Sequence, residues 1–164
     1  MIETPRLLLR KFDPSDRESV VELLKNSDFM AYSPTGAMDH QQAESRFQGL
    51  LLAYETYGVG KLELVEKSTA EVIGYCGIEH FLFQGNAVVE LGYRIRVPSR
   101  GNGYAFEASS AILGYAKQMG HQSVFAFTEQ ENKPSQHILK KLGFERCGSG
   151  MFENMPVDYF QKCI

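Results

Sequence analysis

The stretch Ser99-Arg100-Gly101-Asn102-Gly103-Tyr104-Ala105 carries the most chemical information in the sequence. Its two glycines let the backbone turn tightly and let a ligand approach it closely. A strand-like run, Val88 to Val97, precedes the loop and a helical stripe follows it. A helix start presents unpaired N–H groups and a partial positive charge, which together bind phosphate oxygens. The loop therefore reads as a phosphate- or pyrophosphate-binding turn, with an ordinary strand-to-helix turn as the alternative. A dinucleotide fingerprint would need a small residue where Phe106 stands. No Gly-Lys-Ser/Thr P-loop and no Gly-x-Ser-x-Gly elbow occurs. Cys76, Cys147 and Cys163, and His40, His80, His121 and His137, show no metal-ligand spacing, so no metal is expected.

The elements that must position this loop follow from periodicity. Thr4 to Phe12 reads as a first strand. Asp13 caps a short helix with Pro14 at its first position, and Asp39 caps a longer one over about residues 40 to 57. Lys61–Glu66, Glu71–Phe83 and Ala87–Val97 are rich in Val, Ile, Tyr and Phe and are separated by turn residues, which predicts three consecutive antiparallel strands. Gly74 and Gly77 inside the second of these suggest a bend or a close backbone approach. In the third, Val89, Leu91, Tyr93 and Ile95 alternate with Glu90, Gly92 and Arg94. A helix from Tyr104 to Met119, a strand from Ser123 to Thr128 and a helix opened at Asn132 follow, and strands at Phe144–Gly148 and Val157–Ile164 close the chain. A strand, a helix and a strand in series imply one parallel pair within an otherwise antiparallel sheet.

Composition limits the function classes. A chain of 164 residues is one domain's worth of protein and can bury roughly two-thirds of its unfolded surface. The net charge of -3, without a basic stripe, argues against a nucleic-acid module. No run is apolar enough to span a bilayer, and the N-terminus lacks the pattern of a signal peptide. Sparse, odd-numbered cysteines fit reduced thiols, so a cytoplasmic location is expected.

The run Arg100 to Ala105 resembles the Gln/Arg-x-x-Gly-x-Gly/Ala signature of GNAT N-acetyltransferases. Gly92-Tyr93 through Ala108, Asn132-x-x-Ser135, Lys141-Leu142-Gly143-Phe144-Glu145 and the opening Thr4-Pro5-Arg6-Leu7-Leu8-Leu9-Arg10 are similar to the RimJ/RimL branch. Arg100 departs from that branch, which often has Trp there. The resemblance implies a single GNAT domain over residues 1–164. Its fold would be α/β (α+β), with a mixed, mostly antiparallel sheet of about seven strands flanked by about four helices and a splayed parallel pair at the acetyl-CoA site. It implies acetyl transfer from acetyl-CoA to a primary amine by direct attack. The acceptor would be a protein N-terminus or a small molecule, with no metal, nucleic acid or membrane involved, in a monomer or homodimer. A non-catalytic CoA-binding or regulatory domain is the alternative.

By position, the resemblance assigns the pyrophosphate to the amides of Asn102, Gly103, Tyr104 and Ala105 at the turn begun by Gly101, with Arg100 adding charge. The backbone of Ile95, Arg96 and Val97 would hold the pantetheine, and Asn132 would bond it or cap its helix. Glu90 is the first candidate for removing the proton of the amine, the alternative being an ion-paired strand residue near Arg94. Glu153 is the second, with a surface role as its alternative. The tyrosine that protonates the thiolate in many relatives is replaced by Leu139. Ser135 is the candidate donor to the sulfur, and local helix capping is its rival. Tyr32, Phe47, Tyr54 and Tyr57 are candidate walls of the acceptor pocket, with core packing expected for Phe47 and Tyr54.

Overall fold

The computed structural model describes residues 1–164. An eight-stranded sheet runs in the order β1-β2-β3-β4-β5-β6-β8-β7. Its strands are β1 (Ile2–Glu3), β2 (Leu7–Arg10), β3 (Lys61–Glu66), β4 (Glu71–Phe83), β5 (Asn86–Ile95), β6 (Ser123–Glu129), β7 (Glu145–Phe152) and β8 (Met155–Cys163). Four α-helices flank it: α1 (Arg17–Lys25), α2 (His40–Tyr57), α3 (Tyr104–Gln118) and α4 (Lys133–Lys141). The eighth strand, Ile2–Glu3, precedes the expected first strand, which is itself shorter, at Leu7–Arg10. Thr4 turns the chain, its N–H bonding the Leu7 carbonyl at 3.0 Å, so that Ile2–Glu3 folds back on Leu8–Leu9.

Local chemistry fixes the helix starts. Asp13 and Asp16 form a reciprocal capping box, which begins as a 3-10 turn over Pro14–Asp16 before α1. Asp39 and Gln42 do the same for α2, which ends at Gly58 in the left-handed conformation. One core lies between the sheet and α3 and α4, and includes Leu64, Ile78, Leu91, Ile112 and Leu139. A second lies under α1 and α2, around Phe29, Phe47 and Tyr75.

All neighbouring strands are antiparallel except β5 and β6. Those two pair in parallel at a single register position, Glu90 against Phe125. Beyond it the strands part, and the gap opens onto the start of α3. The β4–β5 register is continuous to Ile95, so the alternation read along β5 holds to its end. A register shift falls between Leu64 and Val65 of β3, opposite Gly74, where the sequence suggests a bend in β4. Close approach explains Gly77, where a Cβ would lie 2.2 Å from the Gly60 carbonyl oxygen.

Candidate active site

Two cavities meet at the splay. The first, about 550 Å3, runs from the end of β5 to the starts of α3 and α4. Gly101 and Gly103 adopt φ of +76° and +80°, values that L side chains rarely take. Gly103 is the N-cap of α3 and brings no side chain to bond its amides. The first bond of the helical ladder runs from the Glu107 N–H to the Gly103 carbonyl. The N–H groups of Tyr104, Ala105 and Phe106 therefore precede the ladder, at the positive end of the helix dipole. A Cβ on Gly101 would meet open space, so the loop faces room for a ligand. This arrangement fits a pyrophosphate.

The loop is pinned from outside. The Arg6 guanidinium bonds the Asn102 carbonyl at 2.8 Å, pairs with Glu107 at 2.7 Å and stacks 4.5 Å over the Tyr104 ring. Thr4 Oγ1 donates to the same Glu107 carboxylate at 2.7 Å. Tyr104 donates its hydroxyl hydrogen to Glu66. The opening Thr4-Pro5-Arg6 thus holds the glycine turn in place, a role that sequence reasoning did not assign to it.

The other predicted donor-site residues divide by location. Ile95, Arg100, Gly101, Gly103, Tyr104 and Ala105 line the first cavity, as do Asn132 and Ser135. Arg100 spends its donors on carbonyls, Nε on Ile95 at 2.8 Å and Nη2 on Asp28 at 2.9 Å, so its positive charge has no carboxylate partner. Arg96, Val97 and Asn102 do not line the cavity. The Arg96 N–H bonds the Ile73 carbonyl at 2.8 Å, continuing the pairing with β4, and its side chain pairs with Glu71 at 2.5 Å. Val97 begins a 3-10 turn and its side chain is exposed. The Asn102 side chain bonds the carbonyls of Ser99 and Arg100, shaping the turn from within. Asn132 caps α4, its Oδ1 accepting from the Ser135 N–H at 3.3 Å. His137 also lines this cavity.

The second cavity, about 440 Å3, lies on the α2 side of the splay. Glu90 and Glu153 both line it. Glu90 stands directly opposite Glu79 in the β4–β5 register, and like charges so placed repel. Lys61 resolves this. Its side chain is 5% exposed and its Nζ lies 3.3 Å from both Glu90 and Glu79. It reaches them across Gly77 and Gly92, where a Cβ on Gly92 would be 2.6 Å from Nζ. Arg46 of α2 adds a second cation, 3.2 Å from Glu79.

Burial pushes the Glu79 carboxyl up, but Lys61 and Arg46 more than offset it and hold it at about 2. Burial also pushes Glu90 up, and there the neighbouring Glu79 outweighs part of the help from Lys61, leaving it above the usual carboxylate range. Burial disfavours charge on Lys61 as well, yet the two carboxylates keep it protonated. The ion partner of Glu90 is therefore Lys61, not Arg94. Arg94 Nη1 instead donates to the carbonyls of Phe29 at 3.3 Å and Ala31 at 2.9 Å.

Glu153 sits in the β7–β8 turn with φ of +46°, followed by Asn154 at +66°, the pair of left-handed residues a tight hairpin requires. That hairpin brings Glu153 to the cavity mouth. Of the four aromatic walls expected, only Tyr32 lines the cavity. Phe47 is buried in the second core, Tyr54 bonds the Gly60 carbonyl, and Tyr57 is exposed beside His80. Tyr75, Phe127 and Phe152 take their places. Leu139, at the position of the missing tyrosine, is 1% exposed in the first core. Cys76 is fully buried, and burial pushes its thiol up to about 12, which makes it inert.

Sequence reasoning missed Lys61, Glu79, Arg46 and Tyr93. For the first three, the usable signal was a glutamate on each of two adjacent strands, but only the register shows that the two face each other.

The Acetyltransferase (GNAT) domain family matches residues 6–145, and the chain belongs to that family. An uncharacterized N-acetyltransferase of Bacillus subtilis, YnaD, is 29% identical over 164 residues, covering 99% of this chain and 87% of that protein. The crystal structure of a GNAT-family acetyltransferase from Bacillus anthracis matches with a TM-score of 0.82 and 25% identity, covering 99% of this chain and 97% of that one. The fold is also shared with the Salmonella typhimurium acetyltransferase that modifies the N-terminal serine of ribosomal protein L7/L12, at a TM-score of 0.81 and 17% identity, covering 98% and 96%. Ribosomal-protein acetyltransferases are thus among the proteins that share this fold. The protein is an acetyl-CoA-dependent acetyltransferase. No helix is long and apolar enough to cross a membrane.

Proposed function

We propose that the protein transfers acetyl from acetyl-CoA to a primary amine, a peptide N-terminus or a small-molecule amine, by direct attack within one domain spanning the chain. The observation that carries this reading is the meeting of the two cavities. Tyr32, Tyr93, Arg94, Asn132 and Ser135 line both, so a donor in one and an acceptor in the other would touch at this line. Acetyl-CoA supplies an activated thioester when bound. The α3 amides and the uncompensated Arg100 hold its pyrophosphate, and the wall from Ile95 to Ser135 guides its acyl end to the junction.

An alkylamine is mostly protonated at neutral pH and must lose a proton to attack. Glu90 is the proton acceptor in this reading, directly or through water. Burial raises its carboxyl above the ordinary value, which makes it a stronger proton acceptor than a free carboxylate, and Glu79, kept ionised, fixes Lys61 beside it. Glu153, at the cavity mouth, is the second candidate. Ser135 Oγ donates to the sulfur as the carbon–sulfur bond breaks.

The test is mass-spectrometric detection of acetylation across peptide N-termini, polyamines and amino acids, repeated with Glu90→Gln and Glu153→Gln. Acetylation of at least one amine class that falls about a hundredfold in Glu90→Gln supports the reading. An equal loss only in Glu153→Gln moves the base to the hairpin. Tight acetyl-CoA binding with no acetylated amine favours a non-catalytic CoA-binding domain.

A further inference from the structure

Ser135 does not stand alone at the junction. The Tyr93 hydroxyl lies 2.9 Å from Ser135 Oγ and 3.4 Å from the Ser135 carbonyl oxygen. Tyr93 comes from β5 and Ser135 from the first turn of α4, so the contact bridges the splayed strand and the helix that closes the cavity. Both residues line both cavities. The Ser135 main chain is held from the other side, its N–H bonding Asn132 Oδ1 at 3.3 Å.

A serine hydroxyl rotates freely, and on a helix it commonly turns back to a nearby backbone carbonyl. A phenol at 2.9 Å limits that freedom. When Tyr93 donates its hydrogen to Ser135, Ser135 Oγ already has a donor, and its own hydrogen is left to point into the junction. The Tyr93 ring packs against the core of Leu91 and Ile95, which fixes the phenol in turn. Burial pushes the phenol up to about 12, and the bond to Ser135 only partly offsets this, so Tyr93 stays a neutral donor throughout the working pH range. Leu139 leaves no other tyrosine from α4 to meet the sulfur.

We propose that Tyr93 is a positioning residue for the acetyl transfer: it orients the Ser135 hydroxyl toward the departing sulfur of CoA. The proposal rests on the reading of Ser135 given above. It implies that Tyr93 and Ser135 act as one unit, and that losing either removes the same interaction.

The experiment compares Tyr93→Phe, Ser135→Ala and the double variant with the wild type. Phe keeps the ring on the core and deletes one oxygen, and a melting temperature close to wild type confirms the fold. With the best amine from the panel, kcat is expected to fall about tenfold in Tyr93→Phe, the loss of one hydrogen bond, with KM for acetyl-CoA unchanged. Ser135→Ala falls at least as far, and the double variant falls no further than Ser135→Ala. Effects that multiply in the double variant, a rise in KM with kcat intact, or wild-type kinetics in Tyr93→Phe would each overturn the proposal.

A second readout separates this proposal from the reading it rests on. The thiol of bound CoA is titrated by the ultraviolet absorbance of its thiolate. A donated hydrogen bond stabilises the thiolate, so this thiol should ionise at lower pH in the wild type than in either single variant. If the wild type acetylates no amine, the amine-transfer reading fails while this titration still decides the role of Tyr93. Identical titrations in all three proteins overturn it, and failure of the wild type to bind CoA overturns both.

Discussion

The two cavities that meet at the β5–β6 splay are built in different ways. The proposed donor cavity has its anion-binding end built of backbone. That end consists of helix-start amides and two left-handed glycines within one continuous stretch of chain. The proposed acceptor cavity is lined by side chains from α2, β3, β4, β5, β6 and the β7–β8 turn. A site made of amides binds the invariant part of a shared donor, and it tolerates few changes because glycine geometry is its material. A site made of side chains from many elements can be altered one residue at a time, which is how one fold comes to serve many acceptors.

That contrast makes separable predictions. Gly103→Trp puts a large side chain at the phosphate turn, where φ is +80°. Acetyl-CoA affinity should fall by at least about a thousandfold, equivalent to roughly 4 kcal/mol. The left-handed conformation costs the variant about 1–2 kcal/mol of stability, so it remains folded. Calorimetric titration together with a melting curve checks both points, and retained affinity would remove the turn from the donor site.

Lys61→Met probes the other cavity. It leaves Glu79 and Glu90 facing each other with only Arg46 nearby, and a broken buried pair typically costs about 3–5 kcal/mol. Urea unfolding should show a loss in that range, partly restored by adding Glu90→Gln. Acetyl-CoA affinity should stay near wild type, because the damage lies on the acceptor side. A stability change below about 0.5 kcal/mol would show that the pair is not coupled as described.

Glu63, on β3 beneath α1, tests whether such electrostatics are confined to the site. It is 0% exposed, with Arg10 2.6 Å away. Burial raises its carboxyl to about 7, Asp16 adding to the rise and Arg10 opposing it. The folded state therefore binds a proton that the unfolded state has released between about 4.5 and about 7. Stability from this group is present at the acid end of that window and is lost as pH rises through it. Glu63→Gln should flatten this dependence by up to roughly 3 kcal/mol, read from urea midpoints across the window. An unchanged slope would contradict the buried-carboxyl account.

Arg6→Ala is expected to have the smallest effect. Arg6 is half-exposed, so its ion pair with Glu107 contributes little to global stability. Its loss should loosen the phosphate turn and weaken acetyl-CoA binding severalfold, with the melting temperature nearly unchanged. Unchanged affinity would leave the N-terminal segment without a role in the donor site.

The same contrast explains what the sequence made legible. The order of elements, the alternation along β5 and the caps at Asp13 and Asp39 follow from local patterns, and so does the glycine turn before α3. The loop could be recognised because its chemistry is contiguous. Lys61 looked like the first residue of an ordinary strand, and Glu79 like one of its polar positions. Their meeting with Glu90 depends on strand register and on the space over Gly77 and Gly92, neither of which is written locally. Tyr93 stood in a recognised motif, but its partner is 42 residues away. The hairpin that carries Glu153 was hidden because its turn uses Glu-Asn instead of a glycine pair.

In the proposed mechanism the start of α3 holds the pyrophosphate of acetyl-CoA. Amide hydrogen exchange over residues 101–106, with and without saturating acetyl-CoA, tests it most directly. Slowed exchange is expected at Gly103, Tyr104, Ala105 and Phe106 when acetyl-CoA is bound. Bound acetyl-CoA that leaves these amides unprotected would contradict it.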